Sequence, residues 1–432
     1  APTAPTVRTV LTERDSAWVD VVDDMEWVGN GAEFLWPTER NGWRQIYRVS
    51  RDGAKVAPVT PAAFDVISVA AVDQAGGWLY YIASPDDATQ RYLYRAKLDG
   101  TGAPVRITPA ASAGTHGYQI SPDARWAIHT TSRFDRPPTT DLVELPTHRV
   151  VRSLIDDSAQ RAAVAGLIPR PTEFFRVAVG DGVELDGWML RPKNFDPARK
   201  YPLLMFVYGE PASQTVRDAW GGNRALWHRA LADLGYIVAS VDNRGTPGPR
   251  GRAWRKVVYN GIGILSSRDQ AEAVRALTRS RSYLDSTRVA IWGWSGGGSS
   301  TLQAMFRYPE VYRVGMSVAP VPDQSLYDTI YQERYMGLPT TNAEAYRKAS
   351  AVNFAEGLRG RLLLVHGSGD DNVHFQGTER LANRLVQLGK PFDYMAYPNR
   401  SHCICEGAGT TLHVYSLLTR YLMEHLPPEA KP

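Results

Sequence analysis

The stretch VAIWGWSGGGSSTLQAMFRY, residues 289–308, decides the fold class of this chain. It begins with an unbroken apolar run, has four small residues directly after Ser295, and ends with the apolar spacing of a helix. Apolar runs without polar alternation are typical of strands buried on both faces, as in parallel sheets covered by helices. The stretch therefore predicts a strand, a sharp turn at Ser295 and a helix.

From about residue 172 onward, apolar runs alternate with segments of helical periodicity. This alternation predicts an α/β domain with a mainly parallel sheet and helices on both faces. The predicted strands are 203–208, 236–242, 289–294, 314–320, 362–367 and 393–398, and the predicted helices are 224–234, 268–279, 299–308, 378–389 and 410–424. A linker helix ending at prolines is predicted around residues 157–173.

The first 160 residues follow a different pattern, which repeats about every 45–48 residues. The segments FLW and IYRVSRDG, which ends at Gly53, are echoed by WLYYIAS and YLYRAKLDG, which ends at Gly100, and a third copy contains ISPDARWAIHTTS and DLVEL. Short aromatic strands joined by Asp-Gly or Pro-Asp turns, at this period, are typical of four-stranded propeller blades. We predict about three blades, an incomplete all-β propeller, in residues 1–160 and the α/β domain in residues 161–432.

Composition excludes several other classes of protein. The net charge is +4 and like charges do not cluster into long runs, so no nucleic-acid arm is indicated. The sequence has no apolar run long enough to span a membrane. The two cysteines, Cys403 and Cys405, are separated by one residue, and we expect them not to pair if that segment is extended. We also expect no metal site there, because the neighbouring His402 suits another role.

Residues 293–297, Gly-Trp-Ser-Gly-Gly, fit the pattern G-x-S-x-G. In the strand-turn-helix context this pattern marks a turn that exposes a nucleophilic serine, and small residues around it prevent steric clashes. A different reading is a glycine-rich turn that only packs a helix against the sheet. The position directly after an apolar run favours Ser295 as a nucleophile.

A nucleophilic serine needs an imidazole base, and the imidazole needs an acid to fix its tautomer. In the α/β-hydrolase arrangement the chain order is serine, acid, histidine. Asp370 and His402 each follow a predicted strand, at the sheet edge where α/β proteins place active sites. Ser295, Asp370 and His402 therefore predict a serine hydrolase with an α/β-hydrolase domain. By residue type, Asp371 also qualifies as the acid, and His366 or His374 as the base.

Further segments resemble one family over essentially the whole chain. They are WVDVVDDMEW, FLWPTERNGWRQIYRVSRDG, VYGEP, SVDNRGTPG, IWGWSGGGS, VAPV, YDTIYQERYMGLPT and HGSGDDNVHFQ. With them the chain resembles the dipeptidyl peptidase IV branch of the prolyl oligopeptidase family. The resemblance implies an eight-bladed propeller with an α/β hydrolase, release of dipeptides after proline, no cofactor, and Ser295, Asp370 and His402 as the catalytic triad.

The resemblance also implies residues that bind the substrate. Tyr208 matches the tyrosine whose hydroxyl forms the oxyanion hole with the N–H of Gly296, where a fixed donor stabilises developing negative charge. Asn372 matches a residue that bonds a substrate carbonyl. The residues that match the lining of the proline-sized pocket are Val321, Tyr327, Tyr331 and Val373. Without the resemblance, Tyr208 reads as a strand-end packing residue, and Tyr327 with Tyr331 as one core stripe of a helix.

The chain departs from the family pattern at several positions. Gly296 stands where mammalian members have a tyrosine and Gln324 where they have a pocket tryptophan, so we expect a wider or differently walled pocket. The family's adjacent glutamates, which bind the substrate's amino terminus, have no counterpart here, because the sequence contains no Glu-Glu dipeptide. The opening TVLTERDSAWVDVVDD resembles the family's middle, so we expect a longer protein, with further blades before Ala1, or a truncated relative.

The triad predicts a serine hydrolase that forms an acyl-enzyme, and the resemblance implies a peptidase that releases dipeptides with proline or alanine in the penultimate position. Competing hypotheses are an acylaminoacyl peptidase, an oligopeptidase or an esterase, and a non-catalytic protein that binds partners through its blades. The expected partner is a peptide, with a homodimer left open and no nucleic acid. The resemblance favours a periplasmic or secreted location.

Overall fold

The computed structural model describes residues 7–23, 25–167 and 172–429. The chain divides into two compact units. The first contains the chain up to Arg161 together with Arg217–Ala219 and Gly248–Ala253, and the second contains the remaining residues. Each unit has a hydrophobic core of its own.

The first unit consists of three four-stranded sheets, each entirely antiparallel. In chain order the strands are β1 (Glu26–Val28), β2 (Glu33–Thr38), β3 (Gln45–Ser50), β4 (Val56–Pro58), β5 (Val66–Asp73), β6 (Trp78–Ala83), β7 (Tyr92–Lys97), β8 (Val105–Arg106), β9 (Thr115–Ile120), β10 (Trp126–Arg133), β11 (Arg136–Glu144) and β12 (Arg149–Ile155). The sheets are β1 to β4, β5 to β8 and β9 to β12, hereafter the first, second and third blades. They confirm the predicted partial propeller.

The repeated Asp-Gly pairs that revealed the period make equivalent turns. Gly53 and Gly100 both adopt positive φ angles, 76° and 78°. A Cβ on Gly53 would lie 2.2 Å from the carbonyl oxygen of Val10, and one on Gly100 would lie 2.5 Å from that of Pro58. The turns therefore require glycine for both backbone conformation and close approach.

The second unit is built on one eight-stranded sheet in the order β13-β14-β16-β15-β17-β18-β19-β20. Its strands are β13 (Glu173–Ala178), β14 (Glu184–Leu190), β15 (Tyr201–Phe206), β16 (Ile237–Val241), β17 (Leu284–Trp294), β18 (Val314–Val318), β19 (Arg361–Gly367) and β20 (Asp393–Tyr397). The six strands from β15 to β20 are parallel to one another and are the six predicted from apolar runs. The antiparallel edge pair β13 and β14 was not predicted.

Helices cover this sheet, and the five predicted ones are present. The helices are α1 (Ser158–Val164), α2 (Gly222–Asp233), α3 (Gly251–Lys256), α4 (Ile264–Ser280), α5 (Gly296–Arg307), α6 (Thr329–Met336), α7 (Ala343–Ala349), α8 (Gln376–Gln387) and α9 (Thr410–His425), with 3-10 turns at Gln324–Leu326 and Ala351–Gly357. The short helices α3, α6 and α7 were not predicted. The predicted linker helix is shorter than expected, because α1 ends at Val164, and residues 168–171 lie outside the described residues.

The central strands carry the core of the second unit. Every residue of β15, β16 and β18 is buried, as expected for strands covered on both faces. Because these strands are parallel, the loops after β15, β17, β19 and β20 meet at one edge of the sheet. Among the described residues, no helix is both long and apolar enough to cross a bilayer.

Candidate active site

Ser295 occupies the sharp turn between β17 and α5. Its backbone has φ 60° and ψ −124°, a conformation that side-chain-bearing residues rarely adopt. A Cβ on Gly293 would lie 2.4 Å from the carbonyl carbon of Gly297, and one on Gly297 would lie 2.2 Å from the carbonyl oxygen of Val207. These close approaches explain why the turn is rich in glycine. Ser295 itself follows the last residue of β17.

Tyr208 follows β15 and lies beside this turn. Its hydroxyl is within hydrogen-bonding reach of the Ser295 side chain. The Ser300 hydroxyl donates to the Tyr208 carbonyl oxygen at 2.8 Å, which ties this segment to α5. Burial, with a smaller contribution from Glu210, raises the pKa of the phenol well above its usual value. Tyr208 therefore keeps its proton at neutral pH and can act as a hydrogen-bond donor next to Ser295.

Asp370 and His402 meet where the loops after β19 and β20 converge. The His402 Nδ1–H donates to Asp370 Oδ2 at 2.7 Å. A Cβ on Gly367 would lie 2.2 Å from the Arg400 carbonyl oxygen, so the two loops can approach this closely only with glycine there. Trp294 Nε1 donates to the His402 carbonyl oxygen at 2.9 Å, which ties the histidine loop to the end of β17.

The Asp370 carboxylate accepts hydrogen bonds on both oxygens. The backbone N–H groups of Asn372 and Val373 donate to Oδ1 at 3.0 and 2.8 Å. Burial alone would raise the pKa of Asp370, but hydrogen bonds from His366 and His402 outweigh it and hold the pKa well below its ordinary value. Asp370 is therefore an anion at neutral pH, which is what a partner for imidazolium requires.

His366, which the sequence also allowed as the base, is instead a second partner of this acid. It is fully buried, and its Nε2–H donates to Asp370 Oδ2 at 3.1 Å and to the Val373 carbonyl oxygen at 2.9 Å. The Thr378 hydroxyl occupies its Nδ1 at 2.7 Å. Both ring nitrogens are thus engaged, which leaves His366 no free nitrogen to accept a proton from a serine hydroxyl.

Asp371 and His374, which the sequence allowed as acid and base, are both exposed. Within the described residues, the structure joins Asp370 to His402 directly and brings Ser295 to Tyr208, whereas no hydrogen bond links Ser295 to His402. The three residues of the predicted triad thus follow β17, β19 and β20, at one edge of the same sheet.

Three of the residues predicted to bind substrate make side-chain hydrogen bonds, one of them to a residue that was not predicted. Tyr327 Oη donates to Asn372 Oδ1 at 3.0 Å, and Tyr331 Oη donates to Glu210 Oε2 at 2.9 Å. The rings of Tyr327 and Tyr331 lie edge to face, with centroids 5.3 Å apart. Tyr327 precedes the first residue of α6, so the two tyrosines are not one stripe of a helix. Val321 and Val373 are both buried.

Sequence reasoning missed Glu210 and did not foresee the partner of Gln324. Glu210 is buried against Tyr331, and the only signal in the sequence was its place two residues after Tyr208. Gln324 is buried and its Oε1 accepts a hydrogen bond from Gln332 Nε2. A buried amide pair therefore occupies the position where mammalian members of the family have a tryptophan.

The expectation for the cysteines assumed an extended segment, and this assumption was wrong, because Cys403 and Cys405 form a disulfide. The segment is not extended. The intervening Ile404 has a φ of 42° and is 1% exposed, so the chain folds back and the two Cα atoms come within 5.1 Å. This separation lies in the normal range for a disulfide. The bridge directly follows His402.

Both parts of the chain are similar to known proteins. Residues 225–428 match the sequence profile of the prolyl oligopeptidase family, and residues 2–138 match that of the dipeptidyl peptidase IV N-terminal region. The crystal structure of Porphyromonas gingivalis dipeptidyl peptidase 4 superposes with a TM-score of 0.87 at 34% identity, covering 93% of this chain and 56% of that one.

Curated fungal relatives are longer than this chain. A probable dipeptidyl-aminopeptidase B of Aspergillus clavatus is 35% identical over 360 residues, 82% of this chain and 38% of that protein. Its counterpart in Emericella nidulans is 31% identical over 425 residues, 96% of this chain and 46% of the relative. The chain thus spans less than half the length of these relatives. These matches confirm the resemblance, and the chain belongs to the prolyl oligopeptidase family, with an N-terminal region of the dipeptidyl peptidase IV type.

Proposed function

We propose that this chain carries the catalytic machinery of a serine peptidase, with Ser295 as nucleophile, His402 as base and Asp370 as its acid partner. The observation that carries the proposal is the 2.7 Å hydrogen bond from His402 Nδ1 to Asp370, at the sheet edge where Ser295 occupies its strained turn. Because Nδ1 holds a proton, neutral His402 has its lone pair on Nε2. That nitrogen is the base in this mechanism.

In the proposed reaction, Ser295 Oγ attacks the carbonyl carbon of the scissile bond while His402 Nε2 takes its proton. The carbonyl oxygen becomes an oxyanion, and the Tyr208 hydroxyl and the Gly296 N–H donate to it. Collapse breaks the C–N bond, and the leaving amine takes the proton from His402. Water then attacks the acyl-enzyme by the same route and frees the acid product.

We propose that the acyl group is an N-terminal dipeptide with proline or alanine next to the scissile bond. One support is that the similar proteins are described as dipeptidyl peptidases or dipeptidyl-aminopeptidases. The other is the apolar and aromatic character of the proposed pocket residues, Val321, Tyr327, Tyr331 and Val373. A pyrrolidine ring has no N–H to satisfy, so apolar and aromatic walls suit it. Asn372, bonded to Tyr327, is the proposed partner of a substrate carbonyl.

Labelling with a fluorophosphonate tests the chemistry. Such probes phosphonylate activated serines, so we expect the wild-type chain to be labelled and Ser295→Ala to lose the label completely. Ser416→Ala, which alters an exposed serine of α9, is the control and should keep full labelling. A wild-type chain that takes no label would exclude the proposed nucleophile.

Substrate comparison tests the specificity separately. We expect Gly-Pro and Ala-Ala anilides to be cleaved faster than acetyl-Ala anilide, because the acyl group proposed here is a dipeptide with a free amino end. Faster cleavage of the blocked substrate would assign the chain to acylaminoacyl peptidases and leave the serine chemistry intact.

A further inference from the structure

Glu210 places a carboxyl group against the proposed nucleophile turn. The residue is 5% exposed, and its Oε2 accepts a hydrogen bond from Tyr331 Oη at 2.9 Å. A Cβ on Gly296 would lie 2.9 Å from this same oxygen and 3.1 Å from Cε1 of Tyr208. The carboxyl therefore fills the space that a side chain directly after Ser295 would need.

The surroundings of Glu210 contain hydroxyl groups and aromatic rings. Tyr208 lies on its own segment, Ser299 on α5 offers a hydrogen bond, Tyr331 is on α6, and Tyr327 precedes that helix. In the described part of the chain, Glu210 takes part in no ion pair. Burying a carboxylate without a countercharge costs several kcal/mol. Burial accordingly raises the pKa of Glu210 to about 7, although bonds from Tyr331 and Ser299 lower it.

A buried carboxyl with a perturbed pKa and no countercharge, next to candidate catalytic groups, is typical of a functional position. We propose that Glu210 binds an ammonium group of the substrate, on either the side chain next to the scissile bond or the peptide's amino terminus. An ammonium would supply the missing charge and three hydrogen-bond donors. The faces of Tyr327 and Tyr331 would add a favourable cation–π contribution. This inference rests on the proposed peptidase function, since it assumes an acyl group held at Ser295.

Two pairs of substrates distinguish the two sources of the ammonium. Ala-Lys anilide against Ala-norleucine anilide reports on a charged side chain, because the two side chains have similar length and differ in charge. Ala-Pro anilide against acetyl-Ala-Pro anilide reports on the amino terminus. We expect Glu210→Gln to lower kcat/KM for the ammonium-bearing member of one pair by about ten- to a hundredfold, the usual loss for a hydrogen bond to a charged group. The other member of that pair, which lacks the ammonium being compared, should change by less than about threefold.

The glutamine variant retains the shape of the side chain and an oxygen that can accept from Tyr331. Glu333→Gln on α6 is the control for loss of one negative charge near the site and should leave both ratios unchanged. If both ratios stay constant in Glu210→Gln, the inference is overturned. Fluorophosphonate labelling of the same variants separates this outcome from failure of the peptidase proposal, in which wild type itself would not be labelled.

A measurement on the wild type alone provides a second test that does not depend on a variant folding. The lysine side chain stays charged from pH 5 to 9, so its rate advantage over norleucine follows the charge of Glu210. We expect the ratio of the two kcat/KM values to rise as pH increases through about 7, where Glu210 ionises. If the amino terminus is the ligand, the same rise should appear in the second pair below pH 7, before the α-amine loses its proton. Flat ratios in both pairs would contradict the inference.

Discussion

The third blade and the second unit each contain a pair of histidines in one hydrogen-bonded group. In the third blade, His116 Nδ1 and His129 Nε2 are 2.9 Å apart, and their rings stack with centroids 5.1 Å apart. In the second unit, His366 and His402 do not touch each other but both donate to Asp370. One group thus pairs imidazole with imidazole, and the other pairs imidazole with a carboxylate.

The difference appears in the charge that each group can carry. Burial lowers the pKa of His116 to about 4 and that of His129 to about 3, so both rings are neutral near pH 7. His116 Nε2 donates to the Ser112 carbonyl oxygen at 3.2 Å, so its Nδ1 must accept from His129. Asp370 instead stabilises any positive charge that forms on His402. A cluster of histidines therefore does not by itself indicate catalysis. The bonded carboxylate is what distinguishes the candidate site from the third blade.

Removing that carboxylate should have the largest effect. We expect Asp370→Asn to lower kcat by about 10⁴-fold, because an amide no longer fixes the His402 tautomer or stabilises its charge. Asp371→Asn is the matched control, since it makes the same change at the adjacent, exposed residue and should keep kcat within about threefold. If steady-state kinetics showed the large loss of kcat in Asp371→Asn and not in Asp370→Asn, Asp371 would be the acid.

Acid should destabilise the imidazole pair of the third blade. The pKa values of His116 and His129 in the folded chain lie below the unfolded value of 6.5, so the unfolded state takes up protons first as pH falls. The contribution of the two histidines to the free energy of unfolding is therefore fully present above pH 6.5 and is lost as the pH falls toward 4. For His116 alone the loss is about 3 kcal/mol.

Urea unfolding followed between pH 7 and 4 measures this loss, with His116→Gln as the comparison. The variant should show a smaller dependence of unfolding free energy on pH, whatever its absolute stability. Equal pH dependence in the two proteins would mean that His116 is protonated as easily in the blade as in the unfolded chain.

The smallest effect is expected from the disulfide beside His402. Replacing both Cys403 and Cys405 by serine opens a very short loop, so the free energy of unfolding should fall by no more than about 2 kcal/mol. The bridge directly follows His402, and we expect kcat to fall by at most about tenfold, far less than for Asp370→Asn.

Dithiothreitol should reproduce this loss of kcat in the wild type and leave the double variant unchanged. A drop as large as that of Asp370→Asn would mean that the bridge, and not the carboxylate, fixes the histidine.

Elements set by local pattern could be predicted, whereas contacts made across the fold could not. The six apolar runs form β15 to β20, and the order of Ser295, Asp370 and His402 followed from the strand ends after which they occur. The bond between Glu210 and Tyr331 joins residues 121 positions apart, so only packing brings them together.

The remaining errors have local causes that a single sequence conceals. β13 and β14 form an antiparallel edge pair, which lies outside the apolar alternation used to find the parallel strands. The cysteine bridge depends on a positive φ at Ile404, and β-branched residues almost never adopt that conformation. Residue preferences therefore predict an extended backbone at the position where the chain folds back.

With Ser295 as the proposed nucleophile, its turn also sets folding stability against catalysis. A side-chain-bearing residue held at φ 60° and ψ −124° costs on the order of 1–3 kcal/mol, and glycine would avoid most of that strain. The tight packing of Gly293 and Gly297 maintains the conformation from both sides. A fourth consecutive glycine at this position would favour a stable fold, and the proposed use of the hydroxyl as nucleophile gives a reason for serine there instead.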